Sequence, residues 1–457
     1  MPQTKQPLYI EHTISICPKC IKRVPAKIVQ DGDSIYLIKR CREHGEQKEL
    51  YEEVSDYHLK KRLYDKPGTD CKRQTEFNQG CPFDCGLCPD HEQHTCIGLI
   101  EITEQCNLCC PSCYASSGEG RHLGLETIEK MMDLYIDSEY EQAEILQISG
   151  GEPTIHPQIL EILRLAKAKN FKYIMINSNG IRFSQDLEFV KSVADIFQGT
   201  GLEVYLQFDG LEENTYRTLR GSDLRNVKQK AIENLTSHGI AITLVSTILK
   251  GVNDHEIGAI VEFGMETEGI RGLNMQPLAL FGRLDESVDT NERITLSGIL
   301  KRMEDQTNGK ILMDDFIPLP CNVDRVAITY LTQKRGKWTA LSKGKNLQSF
   351  VPRIKNTFAF SLDDTLEKDG DCCGVTCKCF GPKKLADVLG KAAKSASDKK
   401  RTEYLNKDLF RISVTSFIDV YNFDMKSMKK ECVHIITEDM RKIPFSSYNM
   451  FHRPGIT

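Results

Sequence analysis

Three cysteines in the stretch Cys106-Asn-Leu-Cys-Cys110-Pro-Ser-Cys113-Tyr114 constrain this chain more than any other feature. Their C-x3-C-x2-C spacing lets three thiolates curl around one centre from a single loop, and thiolates at such spacing suit soft metals and iron–sulfur clusters. Just ahead of them, Ile97-Gly-Leu-Ile-Glu-Ile-Thr103 is a short apolar run with β-branched residues, the pattern of a buried strand. A cubic four-iron cluster has four corners, so three protein ligands leave one iron open, as a catalytic zinc site keeps one position free. A zinc knuckle is the plain alternative for the three cysteines alone. The preceding strand, Tyr114, and Ser149-Gly150-Gly151-Glu152-Pro153 at the end of a later apolar run count against it.

Strand, Cys106-x3-Cys110-x2-Cys113-Tyr114 and GGEP together closely resemble the radical S-adenosylmethionine (SAM) superfamily. The resemblance implies a [4Fe-4S] cluster whose open iron chelates the amino and carboxylate groups of SAM. It also implies a GGEP segment lining the methionine amino group, and reductive cleavage of SAM to a 5′-deoxyadenosyl radical. Two adjacent glycines allow close backbone approach to a ligand, and Glu-Pro fixes the exit of the turn. Cys109 falls at a variable place in the motif and is read as a non-ligand.

At 457 residues the chain has room for two or three domains. A formal net charge of -4 gives no general basic surface, so nucleic acid is not expected as a partner. Eighteen cysteines are many, yet the N-terminus, MPQTKQPLYIEH, has no apolar leader core. Metal binding in the cytoplasm is therefore expected rather than secretion with disulfides. The longest apolar run, Ile240 to Leu249, is too short to span a bilayer, which leaves peripheral contact with a membrane open.

In chain order, residues 1–70 read as a cysteine-rich, ribbon-like module. Cys17-Pro-Lys-Cys20 and Cys41-Arg-Glu-His44-Gly45 flank the strand-like Ser34–Lys39, and two knuckles across a hairpin hold one tetrahedral ion, zinc or iron. Cys17, Cys20 and Cys41 are ligands, and the fourth is Cys71 or His44. Residues 71–96 carry a second C-x3-C-x2-C, Cys81, Cys85 and Cys88, without a preceding strand or a GGEP partner. This is an auxiliary cluster segment with Cys96 as the expected fourth ligand, while His91 and His94 donate to sulfur or are solvated.

Over residues 97–308, strands near 97–103, 144–149, 172–177, 202–208, 240–248 and 272–277 alternate with amphipathic helical patterns. Six such units imply a parallel sheet, and the resemblance makes the α/β fold a partial (β/α)6 barrel. Ligands then sit at the carboxyl ends of the strands, which selects Tyr114, Ser149–Pro153, Asn179, Gln207, Thr247 and Gln276 as contacts to SAM or substrate. Loop capping would use the same polar residues. Residues 309–457 read as an α+β extension in which Cys321, Cys372 or Cys373, Cys377, Cys379 and Cys432 could hold a second auxiliary cluster.

The chain is also similar to a narrower group, spanning tetraether lipid synthases and class D radical SAM methylases. The similarity lies in GCPFDCGLCPDHEQHTC running into LIEITEQCNLCCPSCYASSG, in NMQPLALFGR at 274–283, and in SFIDVYNFDM, CVHI and IPFSSYN near the C-terminus. It implies a rubredoxin-like site, a SAM cluster, two auxiliary clusters and a reductant such as ferredoxin or flavodoxin. Its expected reaction is carbon–carbon bond formation between lipid chains at unactivated positions, and C-methylation of a pterin or another small heterocycle is the alternative. Two departures stand out: no cysteine follows Leu319-Pro320-Cys321 closely, and Ser446 stands where a family cysteine is expected. A non-catalytic electron carrier or metal sensor would need closed four-cysteine sites, and GGEP with an open third-cysteine spacing argues against it. A lipid substrate would need an apolar tunnel, expected from Gln207 and Gln276 toward Ile412–Val420.

Overall fold

The computed structural model describes residues 7–169, 171–199, 201–284, 293–344, 347–358 and 409–453. The N-terminal residues form an antiparallel sheet in the order β1 (Leu8–Ile16), β2 (Arg23–Asp31), β3 (Ser34–Cys41), β4 (Gly45–Glu52). One face buries Ala26, Ile28, Ile35, Leu37 and Tyr51. This core is small, so an ion held at the knuckle end would supplement it.

The six expected strands are β5 (Ile97–Glu101), β6 (Ile145–Ser149), β7 (Tyr173–Ser178), β8 (Leu202–Gln207), β9 (Ala241–Ile248) and β10 (Ile270–Pro277). All pair in parallel, each with the next in sequence. Helices Leu125–Ser138, Ile159–Ala168, Leu187–Phe197, Arg225–Ser237 and Ile257–Glu266 cross between them. Their apolar stripes and the outer sheet face make one continuous core that includes Met132, Tyr135, Ile162, Val193, Ile232 and Ile260. Helix Glu213–Arg220 was not expected from sequence, because apart from Tyr216 and Leu219 it is polar.

The C-terminal residues do not stand apart from this sheet. Beyond β11 (Ile317–Pro318), β12 (Val326–Lys334) and β13 (Lys337–Ala340), strand β14 (Leu409–Thr415) joins β10 in parallel. At the opposite edge β15 (Val433–Ile436) joins β5 in parallel, followed by antiparallel β16 (Lys442–Pro444). The order is β11-β12-β14-β10-β9-β8-β7-β6-β5-β15-β16, with β13 on β12. Residues from β5 through β10, β14 and β15 all line one cavity, so the sheet curls around it. The boundary expected near 309 thus divides segments that share hydrogen-bonded strands.

Candidate active site

The three cysteines of the organising motif sit on the loop after β5, and other segments hold that loop by its backbone. Cys106 N–H donates to Gly118 O at 2.9 Å. Cys113 and Arg283 exchange backbone hydrogen bonds of 2.8 and 2.9 Å, and the Arg283 guanidinium donates to Cys110 O at 2.8 Å and Ser117 O at 3.1 Å. Gly282 beside it has φ +71°, and a Cβ there would stand 2.4 Å from the carbonyls of Cys113 and Tyr114. From the other side, Gly151 N–H donates to Thr103 O at 2.8 Å and Glu152 N–H to Gln105 O at 2.9 Å. A Cβ on Gly151 would lie 2.1 Å from Gln105 O. The glycines therefore make room first for the cysteine loop itself.

Glu152 is buried with its carboxylate committed to the protein. It accepts from Thr154 Oγ1 at 2.6 Å, Ser178 Oγ at 2.9 Å and Asn179 N–H at 2.7 Å, while burial pushes its pKa up. Asn179 reaches back to the loop, donating from Nδ2 to Asn107 Oδ1 at 2.7 Å, and its Oδ1 accepts from Ile181 N–H at 3.0 Å. Its hydrogen bonds tie strand end to cysteine loop. Pro153 is buried and opens a short 3-10 turn, and Tyr114 OH lies 3.1 Å from Ser149 Oγ.

Tyr114, Ser149, Gly150, Gly151, Glu152, Asn179, Gln207, Thr247 and Gln276 converge on one cavity of about 240 Å³ that also touches Cys106, Cys110 and Cys113. Sequence reasoning missed two cations, Arg220 in the cavity wall and Lys228 behind it. Arg220 is buried and grips Asp209 through two hydrogen bonds of 2.7 Å, with a further bond to Thr247 Oγ1 at 3.2 Å. Lys228 Nζ donates to Asn179 O at 2.6 Å and Gln207 Oε1 at 3.1 Å, and its burial draws its pKa down to about 7. Leu219-Arg220-Gly221, a helix end before a left-handed glycine, was the available signal for Arg220. Deeper in, Asn274 donates to Tyr205 OH and accepts from Ser413 Oγ at 2.9 Å and Thr415 Oγ1 at 3.1 Å. Gln147 and Asn177 are paired at 2.5 Å on the neighbouring strands. Phe281, Phe417 and Phe445 form an aromatic wall, Phe417 and Phe445 with centroids 4.4 Å apart. The cavity reaches Thr415 and Phe417, whereas Ile412 and Val414 point into the core.

The remaining cysteines sort differently from the sequence expectation. Cys17, Cys20, Cys41 and His44 bring their ligand atoms within 4.8 Å of one another. Cys20 and Cys41 sulfurs are 3.8 Å apart, close to the roughly 3.8 Å edge of a tetrahedron with 2.3 Å metal–sulfur bonds. His44 Nδ1 lies 3.5 Å from both Cys17 and Cys41 sulfurs, so His44 completes the set. Cys71 is elsewhere, buried with its sulfur 4.0 Å from His91 O. Cys96 likewise leaves its expected partners: it groups with Cys321 and Cys432. The backbone explains this, since Cys96 N–H bonds to Cys432 O where β15 zips onto β5. Burial opposes a thiolate at Cys96, but hydrogen bonds with Cys321, Cys432 and His94 draw its pKa well below the usual thiol range. Cys372, Cys373, Cys377 and Cys379 lie outside the described residues.

Cys81, Cys85 and Cys88 line one small pocket with His91. Burial pushes all three thiols up, Cys85 to about 12, so metal must displace their protons on binding. His91 is buried, with Nε2 3.1 Å from His434 Nε2, and the half-buried His94 places Nε2 3.7 Å from Cys96 Sγ. Among the described residues, neither this trio nor Cys106, Cys110 and Cys113 closes to single-ion distance, as a set of corners for a larger cluster would not. The donor sets thus fit clusters at the C-x3-C-x2-C loops and one ion in the ribbon.

A parallel barrel with a three-thiolate loop after its first strand and GGEP after its second defines a class of enzyme that holds a cluster and SAM side by side. Residues 100–264 match the radical SAM superfamily, and residues 9–53 match the HMPTM N-terminal zinc ribbon domain. The 7,8-dihydro-6-hydroxymethylpterin dimethyltransferase of Methanocaldococcus jannaschii is 33% identical over 97% of this chain and 94% of its own length. The GTP 3′,8-cyclase of Chlorobaculum tepidum is 28% identical over 39% of this chain and 53% of its own. Among solved structures, SuiB of Streptococcus suis bound to its precursor peptide SuiA is 17% identical with a TM-score of 0.38, covering 48% of this chain and 46% of that one. The chain belongs to the radical SAM superfamily and, within it, to the family of the M. jannaschii protein. It is a radical SAM enzyme. That full-length relative is named as a pterin dimethyltransferase, not as a lipid synthase. Among the described residues no helix is long and apolar enough to cross a membrane.

Proposed function

We propose that this chain is a radical SAM C-methyltransferase whose substrate is a compact nitrogen heterocycle of the pterin class. The cavity carries the reading. It is about 240 Å³, would seat SAM beside the cysteine loop as well as substrate, and is lined by Gln147, Asn177, Gln207, Asn274 and Gln276 together with Phe281, Phe417 and Phe445. A planar heterocycle needs that combination, edge hydrogen bonds from placed carboxamides and apolar contact with its faces. A pair of lipid chains would need an apolar channel, and among the described residues the cavity wall near β14 carries the hydrogen-bonded polar groups of Tyr205, Asn274 and Thr415. The name of the M. jannaschii relative points the same way.

A cluster held by Cys106, Cys110 and Cys113 would supply, with SAM and an electron from a reductant such as ferredoxin or flavodoxin, a carbon radical able to break a C–H bond. The chain's own residues position and exclude. Ser149 to Glu152 line the cavity beside the cysteine loop, Lys228 fixes Gln207 by its Oε1 so that its amide N–H₂ is free to face the cavity, and Phe281, Phe417 and Phe445 give the cavity an apolar side. Pterins and lipids extracted from cells making the protein, compared with cells making the Cys110→Ala variant, test the proposal. A pterin gaining methyl mass only with the intact chain is expected. Unchanged pterins alongside newly joined lipid chains would return the assignment to a lipid synthase.

A further inference from the structure

The Cys81, Cys85 and Cys88 pocket is closed by the far end of the chain. Ser447 is completely buried and places Oγ 3.0 Å from Cys85 Sγ and 3.1 Å from Pro82 O. Its segment is fastened on both sides of that contact. His452 Nε2 lies 3.3 Å from Pro82 O, the Phe451 ring meets Phe83 edge-on with centroids 5.6 Å apart, and Arg453 grips Glu101 through bonds of 2.7 and 2.9 Å. The turn between Ser447 and Arg453, Tyr448–His452, is a π-helix, a wider coil frequent at functional sites.

In the thiol form Cys85 donates to Pro82 O at 3.0 Å. Metal takes the place of that proton and turns the sulfur into an anionic acceptor. Ser447 is the hydroxyl within reach, and a charged acceptor competes better for its proton than the Pro82 carbonyl does. Its distance excludes a ligand role beside Cys85, since an oxygen and a sulfur bound to one tetrahedral ion stand about 3.5 Å apart and ligands on neighbouring corners of a cluster stand farther still. Hydrogen bonds to cluster sulfurs are one of the levers that set reduction potential, because they stabilise the more negative, reduced state.

We propose that Ser447 is a positioning residue of this auxiliary site: its hydroxyl donates to the Cys85 thiolate and raises the potential of the cluster held there. The inference rests on the reading of Cys81, Cys85 and Cys88 as a cluster site. The test uses the full chain with Cys106→Ala, Cys110→Ala and Cys113→Ala, which removes the SAM cluster signal. Iron is counted after anaerobic reconstitution, and the signal that depends on Cys81 is followed by EPR-monitored redox titration. Ser447→Ala should keep its iron and shift that signal to more negative potential, while Ser447→Thr, which keeps the hydroxyl, should stay near the parent. An unshifted Ser447→Ala overturns the proposal. So does iron loss in Ser447→Ala, which would make the residue a structural clasp. A parent with no signal dependent on Cys81 overturns the cluster reading itself, a separate and recognisable failure.

Discussion

The ribbon site and the barrel loop use the same thiolates for opposite ends. In the ribbon, Cys17, Cys20, Cys41 and His44 draw together until the sulfurs stand at single-ion spacing, and the site is complete in itself. In the barrel, Cys106, Cys110 and Cys113 stay apart on a loop held open by Arg283 on one side and Gly151 on the other, with the cavity against them. A closed set serves as a staple for a sheet with little core of its own; an open set leaves one corner for chemistry. The difference lies in what holds the loop more than in the cysteines, because knuckle turns close a site locally whereas the barrel loop is shaped by other segments, the Gly151 turn after the next strand and Arg283, 173 residues beyond Cys110.

The largest expected effect breaks the comparison at its centre. Cys106→Ala, Cys110→Ala or Cys113→Ala should each abolish 5′-deoxyadenosine formation and remove one cluster's worth of iron, while Cys109→Ala, at an exposed position, should do neither. His44→Ala should release only the ribbon's single ion, Cys71→Ala should release none, and both should still cleave SAM. Metal analysis paired with the cleavage assay reads these out, and an ion lost with Cys71→Ala would reopen the fourth-ligand assignment.

Next in size, Arg283→Ala leaves the cysteines in place but removes the guanidinium that holds Cys110 O and Ser117 O. Losses from such supporting residues run at roughly tenfold to a hundredfold in metal affinity or activity. A chelator competition on the reconstituted protein should show faster iron release, whereas release at the wild-type rate would leave the loop self-supporting.

Gly151→Ala should cost about 1–3 kcal/mol by overpacking against Gln105 O. Denaturant unfolding measures it, and a stability equal to wild type would mean that the cysteine loop can yield.

The last effect is electrostatic and shows only as a pH dependence. Lys228 is held near pKa 7 in the fold against an ordinary 10.5, with burial as the main cause. The unfolded chain therefore binds more protons between those values, so the cost of the buried ammonium is full below about pH 7 and is relieved as pH rises toward 10.5. Lys228→Met should flatten the rise of stability over that window, and an unchanged slope would assign it to other groups.

Much of this was legible from residues alone. Apolar runs with turn signals predict β5 through β10 to within two residues at each end, because parallel strands buried on both faces are written as continuous β-branched stretches. The motif spacing and GGEP point to the cluster loop and its neighbour for the same local reason. What sequence could not reach was pairing across distance. The Cys96 to Cys321 and Cys432 grouping, the choice of His44 over Cys71, the edge strands β14 and β15, and the buried Arg220 and Lys228 all depend on which strands zip together. Periodicity and spacing are set by backbone geometry over a few residues, so the chain states them openly. A partner brought in by a strand edge or a loop clamp exists only once the sheet has curled, and its physical cause, a shared hydrogen-bond ladder or a pocket that burial creates, is written in no single stretch.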